Sequence, residues 1–278
     1  MFSRPGSELF VPDGAPPADA LARTTHLGVG AHADDLEIMA IHGILECYAT
    51  SERFFTGAVV TDGAGSPGGE KVGTREALVA RRKLEQKHAA RLGRYGAQVL
   101  LDHPSDAVKA GAADVVADLR ALLLHTRPAV VYTHALTDRH DTHVAVALRL
   151  LAACQLLPDT ERPARILGCE VWRDLDWLSD EDKVTLPLDG REALQLELVS
   201  VFASQIETGK RYDRAALGRR HAHAVFSESQ HTDRHSAIVC AMDLTPLAAP
   251  DSEPVAYAER LIQSLKDDVV TRITRLRR

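Results

Sequence analysis

The chain has 278 residues, a formal net charge of −6, and 45% hydrophobic against 26% charged residues. That length makes one large domain or two small ones, with enough apolar material for a core that needs no disulfide or structural metal. The acidic balance excludes a general nucleic-acid binder, whose phosphate contacts need a basic face, and the arginines at 272, 275, 277 and 278 read as a solvated helix end. Cys47, Cys154, Cys169 and Cys240 have no CxxC spacing and read as reduced, mostly buried thiols. The N-terminus lacks a basic stretch leading into an apolar one, and no apolar run approaches the roughly 20 residues that span a bilayer. The expectation is a soluble, cytoplasmic protein without an integral membrane segment; homo-oligomerisation stays open.

Residues 1–22 read as a loop segment, broken by Pro5, Pro12, Pro16 and Pro17. From there strands and helices alternate. Residues 26–31 read as a short buried strand and 36–49 as a helix. Residues 54–60 form a second strand, running into the glycine-rich stretch 62–69. A helix over 74–92 closes at Gly93, and 98–101 is a third strand. Val115, Val116, Leu119, Leu122 and Leu123 stand at helical spacing within 110–126. A fourth strand over 129–133 and a helix over 141–156 follow. Beyond residue 160 the pattern weakens to a strand at 168–172, a helix over 190–207 and a histidine-rich stretch at 219–235. An amphipathic helix over 252–276 takes Ser252 as its cap and Pro254 in its first turn. Alternation of this kind implies an α/β fold: a Rossmann-like, mostly parallel sheet with helices on both faces, as one domain over 23–250 with a C-terminal helix at 251–278.

Ligands of open parallel sheets sit beyond the carboxyl ends of the strands. Two polar clusters fall there: residues 31–37, with His32, Asp34, Asp35 and Glu37, and residues 133–143, with His134, Asp138, His140, Asp141 and His143. Imidazole with carboxylate suits zinc, and three protein ligands plus an open position make a catalytic site. Each cluster alone has a plainer reading, as acidic residues at a helix N-terminus or as a surface histidine pair. Their occurrence together at one sheet edge favours a metal site.

The segment His32-Ala33-Asp34-Asp35-Leu36-Glu37 resembles the HPDDxE signature of the LmbE-like, or PIG-L-type, N-acetylglucosaminyl deacetylases, and residues 138–143 resemble the later DRHPDH segment of that family. The likeness extends to Val60-Thr61-Asp62-Gly63, to Arg81, Glu85, Leu92 and Gly93, and to Ser204-Gln205. It implies a Rossmann-like fold and a zinc-dependent hydrolase that removes N-acetyl groups from glucosamine-containing small molecules or glycoconjugates. Carried over, it makes His32, Asp35 and His143 the metal ligands and Asp34 the general base. His140 becomes the partner of the tetrahedral intermediate or leaving amine, and Arg81, or its neighbour Arg82, a substrate contact. The same ligands also accept Fe(II) or Co(II). Zinc chemistry would lower the pKa of a water to about 7, and Asp34 could take its proton. His134 and Arg173 are further pocket candidates, His134 also as a support behind the ligands.

Three departures from the pattern matter. Ala33 replaces the usual proline, which should loosen the turn. Asp141 and Thr142 replace Pro-Asp, which puts the usual supporting aspartate in doubt and offers Asp141 in its place. Ile41, His42 and Gly43 replace a glycine pair, implying a different pocket floor. The residue pattern leaves a metal-retaining binding or regulatory protein as the alternative, while a two-metal phosphoesterase lacks the bridging carboxylates it would need. The glycine-rich stretch has no GxxxxGK[ST] pattern and reads as a mobile substrate loop. His103 and Asp106 follow the third strand and could serve the pocket or its loop. His221, His223, His231 and His235 match no standard ligand spacing; surface or pocket-wall roles compete with ligation of a second metal.

Overall fold

A computed structural model describes residues 2–65, 74–207, 209–228 and 230–277. Residues 66–69 of the glycine-rich stretch, and with them half of the expected substrate loop, lie outside the described residues. Among the described residues, no helix is long and apolar enough to cross a membrane.

Eight strands form one sheet: β1 (Glu8–Phe10), β2 (His26–Gly30), β3 (Phe55–Thr61), β4 (Ala97–His103), β5 (Val130–His134), β6 (Arg165–Cys169), β7 (Lys183–Pro187) and β8 (Ile238–Asp243), in the order β1-β4-β3-β2-β5-β6-β8-β7. The five central strands, β4, β3, β2, β5 and β6, are parallel, and β1, β8 and β7 add antiparallel margins. The order reverses direction between β2 and β5, which pair as His26↔Val130, Leu27↔Val131 and Gly28↔Tyr132.

Side chains alternate across a strand, and the two faces of this sheet accordingly feed two cores. Leu27, Val29, Val99, Leu101 and Val131 pack with Leu119, Leu122 and Leu123 of α6 (Ala113–Thr126) and Val146 and Leu150 of α7 (Asp141–Gln155). On the other face, Phe55, Val59, Leu100 and Tyr132 meet α2 (Asp35–Met39), α3 (Ile41–Cys47), α4 (Arg75–Leu92) and α8 (Glu192–Ser200). Thr74 caps α4 by accepting the Ala77 N–H at 3.1 Å, and Gly93 ends it. The remaining α-helices among the described residues are α1 (Pro17–Ala22), α5 (Ser105–Ala110), α9 (Ala203–Ile206), α10 (Tyr212–Val225) and α11 (Pro254–Leu276).

Several expected boundaries shift for local reasons. The helix expected over 36–49 is broken at Ala40, whose ψ of 14° takes it out of helical geometry. The one expected over 110–126 starts later, because Gly111 ends α5 in the left-handed region at φ 77°. The 190–207 segment divides into α8 and α9, and the strand expected at 168–172 lies at β6, so that Trp172 and Arg173 follow it. Ser252 does not cap α11. Glu253 occupies that position, and the Ser252 hydroxyl donates to Leu247 O at 2.8 Å while accepting from Gln155. The proline-rich start carries α1 and the three-residue edge strand β1. The histidine-rich stretch begins within α10.

Gly28 lies where β2 presses on α2 and α3: a Cβ there would sit 2.7 Å from Phe55 Cζ and 3.0 Å from Leu36 Cδ2. Gly28→Ala should lower stability by about 1–3 kcal/mol through overpacking. A urea unfolding curve with an unchanged midpoint would contradict this packing.

Candidate metal centre

β2 delivers its chain into a tight turn. His32 N–H donates to Asp35 Oδ2 at 2.7 Å, and Asp34 takes the left-handed conformation, φ 86° and ψ −25°. Aspartate tolerates that region better than most residues, at a modest strain. The Ala31 carbonyl accepts from the Thr61 hydroxyl at 2.8 Å, which fastens the turn to β3. Across the switch in strand order, β5 ends at His134, and the chain turns through Asp138 into α7, with His140 at its N-cap.

The two segments bring His32, Asp35 and His143 together. His32 Nδ1 lies 3.2 Å from His143 Nε2 and 3.4 Å from Asp35 Oδ2, and His143 Nε2 lies 3.5 Å from Asp35 Oδ1. Ligand bonds of about 2.0–2.1 Å in a tetrahedron make edges of about 3.4 Å, so the donors present a face that fits zinc or a similar divalent ion. His134, Asp138 and His143 form a second such group sharing His143. His134 and Asp138 are not among the cavity-lining residues, whereas His32, Asp35 and His143 are, so only the first group offers an open position.

The buried side chains behind this face orient it. The His134 ring stacks on His143 at 3.9 Å between centroids, and its Nε2 accepts the Ala31 N–H at 2.9 Å. Asp138 Oδ2 faces His143 Nδ1 at 3.4 Å, which places the ring proton there and turns Nε2 toward Asp35. Asp138 is fixed in turn by the backbone N–H groups of His140, at 2.9 Å, and Trp172, at 3.0 Å.

Electrostatics follow from this burial. Burial pushes His143 down to about 4, so it stays neutral, as a metal ligand must. Burial alone would raise Asp35, but the imidazoles of His143 and His134 hold it well below the usual carboxylate range. Asp34 is pushed well above that range by burial and by its neighbours Asp35 and Glu37, against the pull of Arg82. A cation held by His32, Asp35 and His143 would supply a positive field that favours the ionised form of this carboxylate. His140 is lowered by burial and by the facing His32, its ring centroid 5.1 Å away.

The cavity above these groups has a volume of about 490 Å³. Asp34 and Asp35 sit at its floor, with Arg82, Gln205 and His140 beside them and Trp172, Lys210, Tyr212 and Arg219 in its wall. Gln205 Nε2 donates to Ala33 O at 2.8 Å and to Asp34 Oδ1 at 3.3 Å, while Gln205 Oε1 accepts from Arg82 at 3.1 Å.

Comparison with known proteins bears on this arrangement. The family model for GlcNAc-PI de-N-acetylase, PIG-L, matches residues 27–154, which include both clusters. Residues 27–154 belong to the PIG-L family. No curated protein matches the chain. Among solved structures, the N,N'-diacetylchitobiose deacetylase of Pyrococcus horikoshii is similar over 82% of this chain and 88% of its own, at 15% identity and a TM-score of 0.61. The zinc inhibited form of a teicoplanin deacetylase is similar over 82% of this chain and 100% of its own, at 14% identity and a TM-score of 0.57. The 4-carboxy-2-hydroxymuconate hydratase of Pseudomonas putida KT2440 is similar over 80% of this chain and 96% of its own, at 16% identity and a TM-score of 0.58. At such identities the likeness is one of fold, and it spans deacetylases and a hydratase alike.

Within the PIG-L domain, some expected residues are placed elsewhere. Arg81 points out of the cavity into ion pairs with Glu85 and Glu207, both at 3.1 Å. Arg82 lines the cavity instead, donating to Gly63 O at 2.5 Å. His134 is fully buried behind the candidate ligand His143, out of reach of the cavity. Arg173, beyond the domain, is exposed and does not line the cavity. Asp141 is also exposed, so the supporting carboxylate is Asp138, three residues earlier, and Thr142 merely packs in the interior. His103 is buried in a pair with Asp118 at 2.9 Å, and Asp106 is exposed. Two residues carry weak signals in the sequence, Asp138 inside a segment that resembles the family's and Gln205 as half of a Ser-Gln pair, and Lys210 and Tyr212 carry none.

Asp138→Asn keeps the shape but loses the charge facing His143. Divalent-metal affinity should fall about 10–100-fold. Competition against a chelator measures this, and unchanged affinity in a folded variant would remove Asp138 from the centre.

Proposed function

We propose that the protein is a cytoplasmic, zinc-dependent amide hydrolase that removes an N-acetyl group from an N-acetylglucosamine-type sugar or glycoconjugate. The observation that carries this reading is the convergence of His32, Asp35 and His143 on one open face, with Asp34 and His140 beside it at the floor of the cavity. The PIG-L domain supports the reaction class. The four free cysteines, all buried, suit a reducing compartment.

His32, Asp35 and His143 would hold the ion, which supplies a Lewis acid for the amide carbonyl and a lowered pKa for water. Asp34 accepts the proton of the attacking water as its oxygen bonds to the carbonyl carbon. It then returns that proton to the nitrogen as the carbon–nitrogen bond breaks, leaving acetate and a free amine. Gln205 aims the Asp34 carboxylate, and Arg82 holds the other end of the same amide. His140, neutral at rest because burial lowers it, serves as an N–H donor to the developing oxyanion. The aromatic faces of Trp172 and Tyr212, 6.0 Å apart between centroids, offer the apolar side of a sugar ring a wall, with Lys210 poised over Trp172 at 4.5 Å.

Acetate release from a panel of N-acetylglucosamine derivatives tests the proposal. Asp34→Asn should keep the metal and lose turnover by about 10²–10⁴-fold, the span of general acid–base catalysis. Silence of the metal-loaded wild type across a broad panel would favour a binding protein, and undiminished turnover by Asp34→Asn would remove the base.

A further inference from the structure

A second convergent donor set lies behind the cavity wall. Glu170 directly follows β6, Cys240 lies in β8, and His223 stands in α10, one turn beyond the cavity residue Arg219. His223 Nδ1 is 3.0 Å from Glu170 Oε1 and 3.5 Å from Cys240 Sγ, and the three ligand atoms all lie within 4.8 Å of one another. Bonds of about 2.3 Å to sulfur and about 2.0–2.1 Å to nitrogen and oxygen make tetrahedral edges of about 3.5 Å for S–N and about 3.4 Å for N–O.

The plainer account is a buried histidine donating to a buried carboxylate. It leaves the thiol unexplained, because Sγ and Oε1 approach the same ring nitrogen, which offers one proton or one lone pair. A relay would use both nitrogens of the ring; here the carboxylate and the thiol both approach one nitrogen. Glu170 does not depend on His223 for its orientation, since Oε1 accepts the Cys240 N–H at 3.0 Å and Oε2 the Leu175 N–H at 2.9 Å. Glu170 and Cys240 are buried, and His223 keeps 9% of its side chain exposed, enough to give an ion an edge to enter by.

We propose that Glu170, His223 and Cys240 form a second metal site, for a borderline divalent cation such as Zn²⁺, that pins α10 to the sheet. Thiolate and carboxylate together neutralise a divalent ion, which suits an interior position. Burial pushes the Cys240 thiol up to about 12, so the ion must displace its proton and binding releases acid. The site is separate from the centre of His32, Asp35 and His143 and stands or falls without it. Its structural consequence is direct: α10 carries Tyr212, Ala215, Ala216 and Arg219 into the cavity wall, so an ion at His223 fixes that wall from behind.

Titration of the metal-free protein with Cd²⁺ tests this, because the first centre holds no sulfur. The expected result is a thiolate-to-cadmium absorption band that saturates at one ion per chain, with proton release. Cys240→Ser should abolish the band, His223→Ala should weaken it, and Cys169→Ser should leave it unchanged. Absence of the band in the wild type, or its survival in Cys240→Ser, would overturn the site. Absence of the band in the wild type decides against the site even if a variant fails to fold.

Discussion

The reversal of strand order between β2 and β5 is the constraint on which the rest depends. Two parallel strands that are neighbours in the sheet, but whose following segments leave to opposite sides, open a crevice at their carboxyl ends. Here one side of that crevice is the turn at residues 32–35 and the other is the start of α7. The three-rung pairing of β2 with β5 fixes how far apart those chain ends lie. His32 and His143, 111 positions apart in sequence, thereby meet at 3.2 Å without either segment being long.

Placing donors in a crevice buries charge, and the surrounding polar groups answer that cost. Asp35 is buried, and its carboxylate stands only because imidazoles surround it. Glu37, two residues on, has no such company. It is pushed up to about 7 by burial, and it accepts from Tyr95 at 2.7 Å and Gln86 at 2.8 Å. Arg220, wholly buried, donates to the carbonyls of Glu37 at 2.7 Å and Ile38 at 3.2 Å, at the end of the short helix that begins with Asp35. The turn holding the candidate ligands is therefore clamped at both ends, by Thr61 on the strand side and Arg220 on the helix side.

The parallel core and its helices were legible in the sequence because strands β2, β3, β4 and β5 are buried apolar runs separated by full helical periods. The candidate ligands were legible because two of them fall within one turn of a strand end. What was not legible has physical reasons. Arg81 and Arg82 are adjacent, and which faces inward depends on where α4 sits on the sheet, so helical periodicity alone cannot separate them. Asp138 and Asp141 are both near His143, but only the backbone N–H groups of His140 and Trp172 show which one is held in place, and Trp172 arrives from another strand. The antiparallel strands β1, β7 and β8 are short or bordered by polar chain, and their burial is decided by partners distant in sequence.

The departures at Ala33 and Thr142 gain a different meaning in this setting. A proline at position 33 would restrain the turn through φ. Here the turn is held by hydrogen bonds instead: His32 N–H to Asp35, Gln205 to the Ala33 carbonyl. The aspartate absent from position 142 is compensated from position 138, which reaches His143 from the loop side rather than from within α7. The matched PIG-L domain thus supplies the proposed chemistry, and residues after 154 supply most of what surrounds a substrate: Trp172, Gln205, Lys210, Tyr212 and Arg219. A wall built from those later segments can change without disturbing the ligands, because it touches them mainly through Gln205 and the Trp172 backbone. On the proposed reading, reaction type and substrate choice are carried by different stretches of one chain, joined at Ser204, Gln205, Arg220 and the Trp172 backbone.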